Sequence, residues 1–279
     1  MEMVPMVKDD PMFSVKGRVA VVTGGMGQLG AGYAAMLSER GARVAVFDIT
    51  TQTEFADAAF ERGLENGRIA CYKVDITDHE AVKAATEAVA ERWEEPHILI
   101  NNAALDSPPD APAGEAGPFE TYPVSSFEKV MDVNVKGTLI CCQVIGEKMA
   151  GKGRGAIINI SSTYGILSPC QDIYDFRRRN GETFFKPVAY SVSKSAILNL
   201  TRYLATYWAK KGVRVNTLTL AGVFNNQPRE FLDAYCARIP MGRMAHAHEL
   251  CGAVLFLASD ASSYMTGSNM IVDGGWSAW

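Results

Sequence analysis

The chain lacks the features that mark several classes of protein. It has no long run of basic residues and its net charge is −4, which argues against a nucleic-acid partner. No apolar run approaches the length of a membrane span, and residues 1–14 lack the apolar core of a signal peptide. The sequence therefore predicts a cytoplasmic protein that does not enter a membrane, with an N-terminal tail over residues 1–14.

Cysteine and histidine are scarce and show no metal-binding or disulfide pattern. None of the 6 cysteines stands in a CxxC pair, and most lie in apolar periodic segments. We therefore expect reduced core thiols rather than a disulfide framework. The closely spaced His246 and His248 begin a predicted helix, where capping or surface packing is the expected role. We expect no bound metal, because no cluster has the spacing of zinc ligands.

What the chain does contain is a regular alternation of short apolar runs and amphipathic stretches. The runs are rich in Val and Ile, as buried parallel strands are. The predicted strands are Arg18–Thr23, Arg43–Asp48, Ile69–Val74, Ile98–Asn101, Ala156–Ile160, Arg214–Leu220 and Asn269–Val272. The predicted helices are Gly27–Arg40, His79–Trp93, Ser126–Met149, Tyr190–Lys211 and His248–Leu257. This alternation predicts an α/β fold, a doubly wound, Rossmann-like parallel sheet of about seven strands with helices on both faces, in a single domain over residues 15–279.

Two stretches interrupt the alternation. Ala104–Pro123 carries many of the prolines and is predicted to be a loop. Leu167–Pro187 is polar, contains three consecutive arginines and follows a predicted strand, so it reads as an inserted loop. Ligands of open α/β sheets bind beyond the carboxyl ends of strands, and long loops in compact domains are often functional. We therefore expect the second stretch to lie near a ligand.

A glycine-rich turn follows the first predicted strand and opens the first helix. Gly24, Gly27 and Gly30 allow a tight turn and a close approach to a pyrophosphate, which the helix N-terminus attracts. Asp48 ends the second strand, where a carboxylate accepts the ribose hydroxyls of NAD and repels the 2′-phosphate of NADP. The cofactor is therefore predicted to be NAD. Asp48 could also act as the N-cap of a helix over Thr51–Asn66.

Eight short sequence motifs are spread along the chain. In chain order they are TGGMGQLG from Thr23, VDIT from Val74, NNAA from Asn101, VNVKG from Val133, NISS from Asn159, YSVSK from Tyr190, RVNTL from Arg214 and VDGG from Val272. The chain resembles the classical short-chain dehydrogenase/reductase family from about Phe13 to Trp279. The ordered set carries this resemblance, because YxxxK alone occurs often by chance.

The resemblance implies a catalytic tetrad of Asn134, Ser162, Tyr190 and Lys194. Tyr190 and Lys194 are four residues apart and so share one face of a helix. The ammonium is expected to lower the phenol pKa, so that Tyr190 exchanges a proton with the substrate oxygen. Ser162, rather than its neighbour Ser161, is expected to donate a hydrogen bond to that oxygen. Asn134 is expected to support a water that links Lys194 to solvent; alternatively, it is a buried asparagine that satisfies the helix backbone.

The resemblance also implies a set of cofactor contacts. The expected residues are Gly24, Gly27, Gln28, Leu29, Gly30, Asp48, Asp75, Ile76, Asn102, Ala103, Tyr190, Lys194 and Val223. Three departures from the family pattern concern this set of contacts: Gln28 and Ala104 each replace a glycine, and Leu220–Ala221 replaces a proline–glycine pair. They leave the detailed shape of the glycine-rich turn and the contact at Val223 open.

The largest departure is the 27-residue separation of Ser162 and Tyr190, which is longer than in most members of the family. We hypothesise that the inserted loop lines or covers the substrate pocket and that one of its arginines binds an anionic group. The candidate substrate residues are Tyr174, Arg177, Arg178 and Arg179. A solvated basic patch or a contact between subunits would explain the same arginines.

Three functions are compatible with these observations. The first is an NAD-dependent dehydrogenase of a sugar, sugar acid or related polar carbohydrate, which the insertion suggests by analogy. The second is a ketone reductase of the acyl-carrier-protein type, against which Asp48 and the polar insertion argue. The third is a non-catalytic nucleotide-binding protein, against which the intact tetrad argues. Family members usually associate, so we expect a homotetramer or homodimer that uses the long helices and the C-terminal GGWSAW.

Overall fold

The central feature of the molecule is a parallel β-sheet. The structure is a computed structural model that describes residues 10–107, 112 and 114–279. Within them, seven strands pair in the order β3-β2-β1-β4-β5-β6-β7, and every pairing is parallel. The strands are β1 Val19–Thr23, β2 Arg43–Asp48, β3 Ile69–Lys73, β4 Ile98–Asn101, β5 Gly155–Ser162, β6 Val213–Leu220 and β7 Asn269–Val272. The predicted doubly wound sheet is confirmed.

Helices connect these strands. They are α1 Gln28–Glu39, α2 Ala58–Glu65, α3 His79–Arg92, α4 Val124–Met131, α5 Thr138–Lys152, α6 Asp175–Arg179, α7 Val188–Trp208, α8 Arg229–Cys236 and α9 Cys251–Ala258. A π-helical turn, Asp132–Gly137, joins α4 to α5. In the described part of the chain, no helix is long and apolar enough to cross a membrane.

Two hydrophobic cores cover the two faces of the sheet. One core packs α1, α2 and α9 against the sheet, through residues such as Leu37, Phe60 and Val254. The other packs α3, α5 and α7 on the opposite face, through residues such as Val89 and Ile145. Burial on both faces explains why β1 and β4 are wholly apolar apart from their last residues.

The helix predicted over Thr51–Asn66 is wrong at its start. α2 begins only at Ala58, because the carboxylate of Asp57 accepts hydrogen bonds from the backbone N–H groups of Ala59 and Phe60 at 2.9 and 2.8 Å. Asp57, and not Asp48, is therefore the N-cap of this helix. The N-terminal tail contains a short 3₁₀ turn, Pro11–Phe13, and the rest of that prediction, residues 1–9, lies outside the described residues.

The inserted stretch, residues 167–187, is ordered rather than a simple loop. It contains a 3₁₀ turn, Gln171–Tyr174, followed directly by α6. Ile173 and Tyr174 are buried in a third hydrophobic cluster, which joins the insertion to α8 and to Trp276 near the C-terminus. The ring of Tyr174 lies 4.8 Å from that of Phe184 and 5.8 Å from that of Phe231. The insertion is therefore a packed unit that lies against α8 and Trp276.

Candidate active site

The glycine-rich turn between β1 and α1 has a shape that only glycine permits at two positions. Gly24 has a φ of +61°, and a Cβ there would lie 2.7 Å from the Cα of Ala103. A Cβ on Gly30 would lie 2.2 Å from the carbonyl oxygen of Gly24. The turn is therefore closed tightly against the start of α1. The N-cap of this helix, Gly27, has no side chain that could accept a hydrogen bond from its first N–H groups.

A cleft of about 810 Å³ opens at the carboxyl ends of β1 to β4. Nine of the expected cofactor residues line it: Gly24, Gly27, Gln28, Leu29, Asp48, Asp75, Ile76, Asn102 and Ala103. Gly30, Tyr190, Lys194 and Val223 do not line this cavity. The volume lies within the range of small-molecule sites, and the glycine turn supplies an anion cradle. The residues present therefore fit a dinucleotide.

Asp48 is fixed at the edge of this cleft by two backbone hydrogen bonds. Its carboxylate oxygens accept from the N–H groups of Met26 and Thr50 at 3.0 and 3.2 Å. The carboxylate still has acceptor sites left for hydroxyl groups. This geometry places the carboxylate at the end of β2, at the cavity that it lines.

Two residues of the loop after β4, Asn102 and Ala103, form the floor of the cleft. The hydroxyl of Thr23 accepts from the N–H groups of Asn102 and Ala103 at 3.0 and 3.1 Å. The side-chain amide of Asn102 donates to the carbonyls of Thr23 and Gly24 at 3.2 and 3.0 Å. Asn102 therefore positions the glycine turn as well as lining the cleft.

Gln28, which replaces a glycine of the family pattern, connects the glycine-rich turn to the loop after β6. Its side-chain amide donates to the carbonyl oxygen of Phe224 at 2.8 Å. Phe224 follows Val223 in the loop after β6, and Val223 pairs with Ala245 in an isolated β-bridge. The substitution therefore ties the glycine turn to the loop in which we expected the contact at Val223.

Tyr190 and Lys194 lie one turn apart on α7, as the spacing predicts. The side chain of Lys194 is buried, and its ammonium donates to the carbonyl of Ile160 at 2.9 Å. The Nζ atom lies 5.7 Å from the centre of the half-buried Tyr190 ring. Burial lowers the pKa of Lys194 to about 8, and the charge of Asp106 opposes this shift.

The expectation that Lys194 lowers the pKa of Tyr190 is wrong. Burial raises the pKa of Tyr190 above its usual value, and the Asp106 carboxylate adds to this increase. A hydrogen bond with Ser162 acts in the opposite direction but is the weaker effect. The cause is desolvation, because removing a phenolate from water costs more than these neighbours return. Tyr190 is therefore a neutral phenol at neutral pH.

The two adjacent serines at the end of β5 have separate roles. Ser161 is buried, and its hydroxyl donates to the carbonyl of Lys194 at 2.8 Å, which joins β5 to α7. Ser162 is half-buried and interacts with Tyr190, while its oxygen accepts from the N–H of Tyr164 at 3.2 Å. The structure therefore brings Ser162, and not Ser161, to the phenol.

Asn134 lies in the π-helical turn and is buried. Its amide oxygen accepts from the N–H of Leu105 at 2.7 Å, and its amide nitrogen donates to the carbonyl of Leu105 and the hydroxyl of Ser193, both at 2.9 Å. Ser193 donates in turn to the carbonyl of Tyr190 at 2.7 Å. Asn134 thus connects the loop after β4 to α7, the helix that carries Tyr190 and Lys194.

The candidate substrate residues of the insertion are engaged largely with the insertion itself. Arg177 pairs with Glu182 at 2.7 Å and lies 4.0 Å above the ring of Phe184. Arg178 donates to the carbonyls of Phe184 and Gln171, both at 2.9 Å, and pairs with Asp175. Tyr174 is buried, which raises its pKa to about 12. Arg179 is exposed on α6.

Two charged residues near Tyr190 are not among those predicted from the sequence. Lys186, at the end of the insertion, has its Nζ atom 5.5 Å from the centre of the Tyr190 ring. It forms an ion pair with Asp106, which lies in the loop after β4. The position of Lys186 four residues before Tyr190 was the available signal. Nothing in the local sequence marked Asp106, because its partner is 80 residues away.

A family model described as enoyl-(acyl carrier protein) reductase matches residues 25–277. The chain belongs to the short-chain dehydrogenase/reductase family. It is an enzyme that acts on CH–OH groups and interconverts an alcohol and a ketone.

Several relatives are similar over almost the whole chain. D-threitol dehydrogenase of Mycolicibacterium smegmatis is 31% identical over 95% of this chain and 94% of its own length. Galactitol 2-dehydrogenase of Rhizobium johnstonii is 34% identical over 96% and 98%, respectively. The crystal structure of a short-chain dehydrogenase from Leptospira borgpetersenii with bound NAD+ superposes with a TM-score of 0.83, at 30% identity over 97% of both chains.

A metal has no evident place in this site. Among the described residues, no group of three or more His, Cys, Asp or Glu side chains is arranged to hold a metal ion. The polar groups around Tyr190 are the Ser162 hydroxyl, the ammonium groups of Lys186 and Lys194, and the Asp106 carboxylate.

Proposed function

We propose that this enzyme is an NAD-dependent dehydrogenase that interconverts a secondary alcohol and a ketone of a polyol or related sugar-like molecule. The observation that carries the proposal is the half-buried phenol of Tyr190, which meets the Ser162 hydroxyl and lies one helical turn from Lys194. The names of the relatives point the same way, because the threitol and galactitol enzymes act on polyols.

The residues of this chain account for the movement of the proton. In reduction, the neutral phenol of Tyr190 donates its proton to the carbonyl oxygen as negative charge develops there. Ser162 donates a hydrogen bond to the same oxygen. In alcohol oxidation the proton moves from the substrate hydroxyl to the deprotonated Tyr190, a form that becomes more abundant as the pH rises. The ammonium of Lys194, which is held by the carbonyl of Ile160, supplies a positive charge close to the phenol.

A dinucleotide would be held by the glycine turn, by Asp48 and by the floor residues Asn102 and Ala103. The chemistry supplied by the bound dinucleotide would be hydride acceptance as NAD+ or hydride donation as NADH, and the positive charge of the oxidised ring would favour the phenolate of Tyr190. The fixed carboxylate of Asp48 supports NAD over NADP, since a 2′-phosphate there would meet a like charge.

The test is to incubate the protein with NAD or NADP and a panel of polyols, sugars and sugar acids, and to follow absorbance of the reduced cofactor. We expect turnover of polyols with NAD and a kcat/KM about 100-fold lower with NADP. Tyr190→Phe should lower kcat by about 10²–10⁴-fold, while the Kd for NADH stays within about twofold. Wild-type protein that binds NADH but oxidises no member of the panel would contradict the proposal.

We also propose that the chain associates into a homotetramer or homodimer. Exposed apolar and aromatic side chains on α5 and α7 support this, including Leu139, Val192, Tyr203 and Tyr207. Their surface resembles the kind that an isologous helix–helix interface buries. Size-exclusion chromatography with light scattering should give two or four times the chain mass of 30.3 kDa, and a monomer would contradict this.

A further inference from the structure

We propose that Asp106 and Lys186 form the substrate-selecting pair of this enzyme. In this role they bind hydroxyl groups next to the reacting carbon of a neutral polyol, and the carboxylate discriminates against sugar acids. The inference rests on the proposed function, which it makes more specific. The polar groups that face the substrate are then those of this pair, and not the arginines of α6.

The insertion places Lys186 at a defined position. The side-chain amide of Gln171 holds the backbone of Lys186 at both ends: its oxygen accepts from the N–H at 2.8 Å and its nitrogen donates to the carbonyl at 3.3 Å. The preceding residue, Phe185, donates from its N–H to the carbonyl of Ala116 at 2.7 Å. The Lys186 side chain is only 12% exposed. Its ammonium is therefore presented from a fixed backbone rather than from a freely moving surface chain.

A second amide fixes the backbone beside Asp106. The Asn134 side chain holds both the N–H and the carbonyl of Leu105, at 2.7 and 2.9 Å. Asp106 is the next residue, and its carboxylate pairs with Lys186 while remaining 56% exposed. The pair therefore joins two loops, each held by one amide side chain, and leaves carboxylate oxygen accessible to a ligand.

The pair lies beside the catalytic phenol. The Nζ atom of Lys186 is 5.5 Å from the centre of the Tyr190 ring, and that of Lys194 is 5.7 Å from it. The charge of Asp106 acts on both catalytic side chains. It adds to the increase in the pKa of Tyr190, and it opposes the decrease that burial causes in the pKa of Lys194. A substrate whose oxygen reaches Tyr190 would therefore have its neighbouring carbons close to the pair.

The chemistry of the pair matches neighbouring hydroxyl groups. An ammonium has three N–H donors and a carboxylate accepts about four hydrogen bonds, so one mutual contact leaves both donors and acceptors free. A hydroxyl both donates and accepts, and can use either partner. The pair has no net charge, so a neutral polyol brings no electrostatic penalty. The carboxylate of a sugar acid would meet Asp106 as a like charge, which is a repulsive contribution to selectivity.

The arginines offer a weaker alternative. The guanidinium of Arg178 is occupied by two carbonyl oxygens and by Asp175, and Arg177 is held by Glu182 and by the ring of Phe184. These contacts stabilise the insertion. Lys186 is the cation of the insertion that the structure brings to Tyr190.

The experiment compares wild type, Asp106→Asn and Lys186→Met on two substrates with the preferred cofactor. One is the polyol with the highest kcat/KM in the panel, and the other is the aldonate of the same chain length and configuration. Asp106→Asn should lower kcat/KM for the polyol about 10-fold and should shift the polyol-to-aldonate ratio at least about 10-fold toward the aldonate. Lys186→Met should lower kcat/KM for both substrates by about 10-fold, mainly through KM.

Lys152→Met and Glu95→Gln are matched controls, because these residues form an ion pair of 3.3 Å at the opposite end of the sheet. They should change neither kcat/KM value by more than about twofold, and the Kd for NADH should stay within about twofold in every variant. An Asp106→Asn enzyme with an unchanged substrate ratio would overturn the inference. A uniform loss on both substrates with weakened NADH binding would indicate a structural role and would also overturn it. If the wild type oxidises no polyol or aldonate, the proposed function itself fails.

Discussion

The site has two proposed halves that are built by different means: a cofactor half (the glycine turn, Asp48, Asn102 and Ala103) and a substrate half (residues 167–187 with Asp106). In the cofactor half, most of the contacts that define the shape involve the backbone. A turn that requires glycine at Gly24 and Gly30 closes against the loop after β4, and the hydroxyl of Thr23 accepts hydrogen bonds from two backbone N–H groups of that loop. In the substrate half, side chains from one segment bind the backbone of another, as Gln171 does at Lys186.

The difference has a physical consequence. A backbone cradle tolerates almost no added atom but depends little on side-chain identity at exposed positions. A loop held by side-chain hydrogen bonds can be altered by a single substitution without loss of the sheet, because each such bond contributes only about 1 kcal/mol. The substrate half can therefore change its specificity while the cofactor half stays the same.

The largest effect is expected from Gly30→Ala, which should disrupt the cofactor half. The new Cβ would lie 2.2 Å from the Gly24 carbonyl oxygen and 2.6 Å from the Gly25 Cα, and neither backbone atom can move easily. We expect the Kd for NADH to rise at least about 100-fold and the free energy of unfolding to fall by about 1–3 kcal/mol. Fluorescence titration and urea denaturation would measure these changes.

Gly32→Ala is the matched control for that variant. Gly32 lies in the same helix, and a Cβ there meets nothing within 4 Å. It should leave the Kd unchanged and increase the free energy of unfolding by about 0.5–1 kcal/mol, because alanine is the better helix former. Equal behaviour of the two variants would show that the close approach at Gly30 does not determine binding.

The next effect concerns the buried Lys194, whose ammonium lies near the ring of Tyr190. Burial lowers its pKa from 10.5 to about 8, so the folded protein loses this proton before the unfolded chain does. Below pH 8 both states are protonated and the cost of burying the charge is fully present; as the pH rises toward 10 that cost disappears. Lys194→Met should therefore be more stable than wild type by about 2 kcal/mol at pH 7, although inactive.

The difference in free energy of unfolding between Lys194→Met and wild type should shrink between pH 8 and pH 10. Urea denaturation at several pH values would measure it. Comparing the two proteins removes the contribution of the buried tyrosines, which titrate in both. A difference that is constant over this range would mean that the burial of Lys194 carries no charge penalty.

The smallest effect is expected from Arg178→Met, which should loosen the substrate half alone. The variant loses two hydrogen bonds to carbonyl groups and the ion pair with Asp175. We expect KM for the polyol to rise about 10-fold and the free energy of unfolding to fall by about 1–2 kcal/mol, while the Kd for NADH stays within about twofold. Arg40→Met, an exposed arginine at the end of α1, is the control and should change neither constant. A change in NADH affinity as large as that in KM would erase the distinction between the two halves.

Much of the fold was accessible from the sequence because its patterns are local. Buried parallel strands are continuous apolar runs, and all seven predicted strands agree with the structure within about two residues. The start of α2 was misplaced, because Asp57 rather than Asp48 caps it. The long helix predicted over Ser126–Met149 is divided by a π-helical turn, which a periodic pattern does not reveal.

The sequence by itself determined the order of strands and helices, the glycine turn and the placement of Tyr190 and Lys194 on one helical face, because each depends on residues a few positions apart. Only the tertiary structure decided that the arginines of α6 stabilise the insertion, that burial raises the pKa of Tyr190, and that Lys186 meets Asp106. These properties depend on how distant segments pack and exclude water, and no local spacing records that.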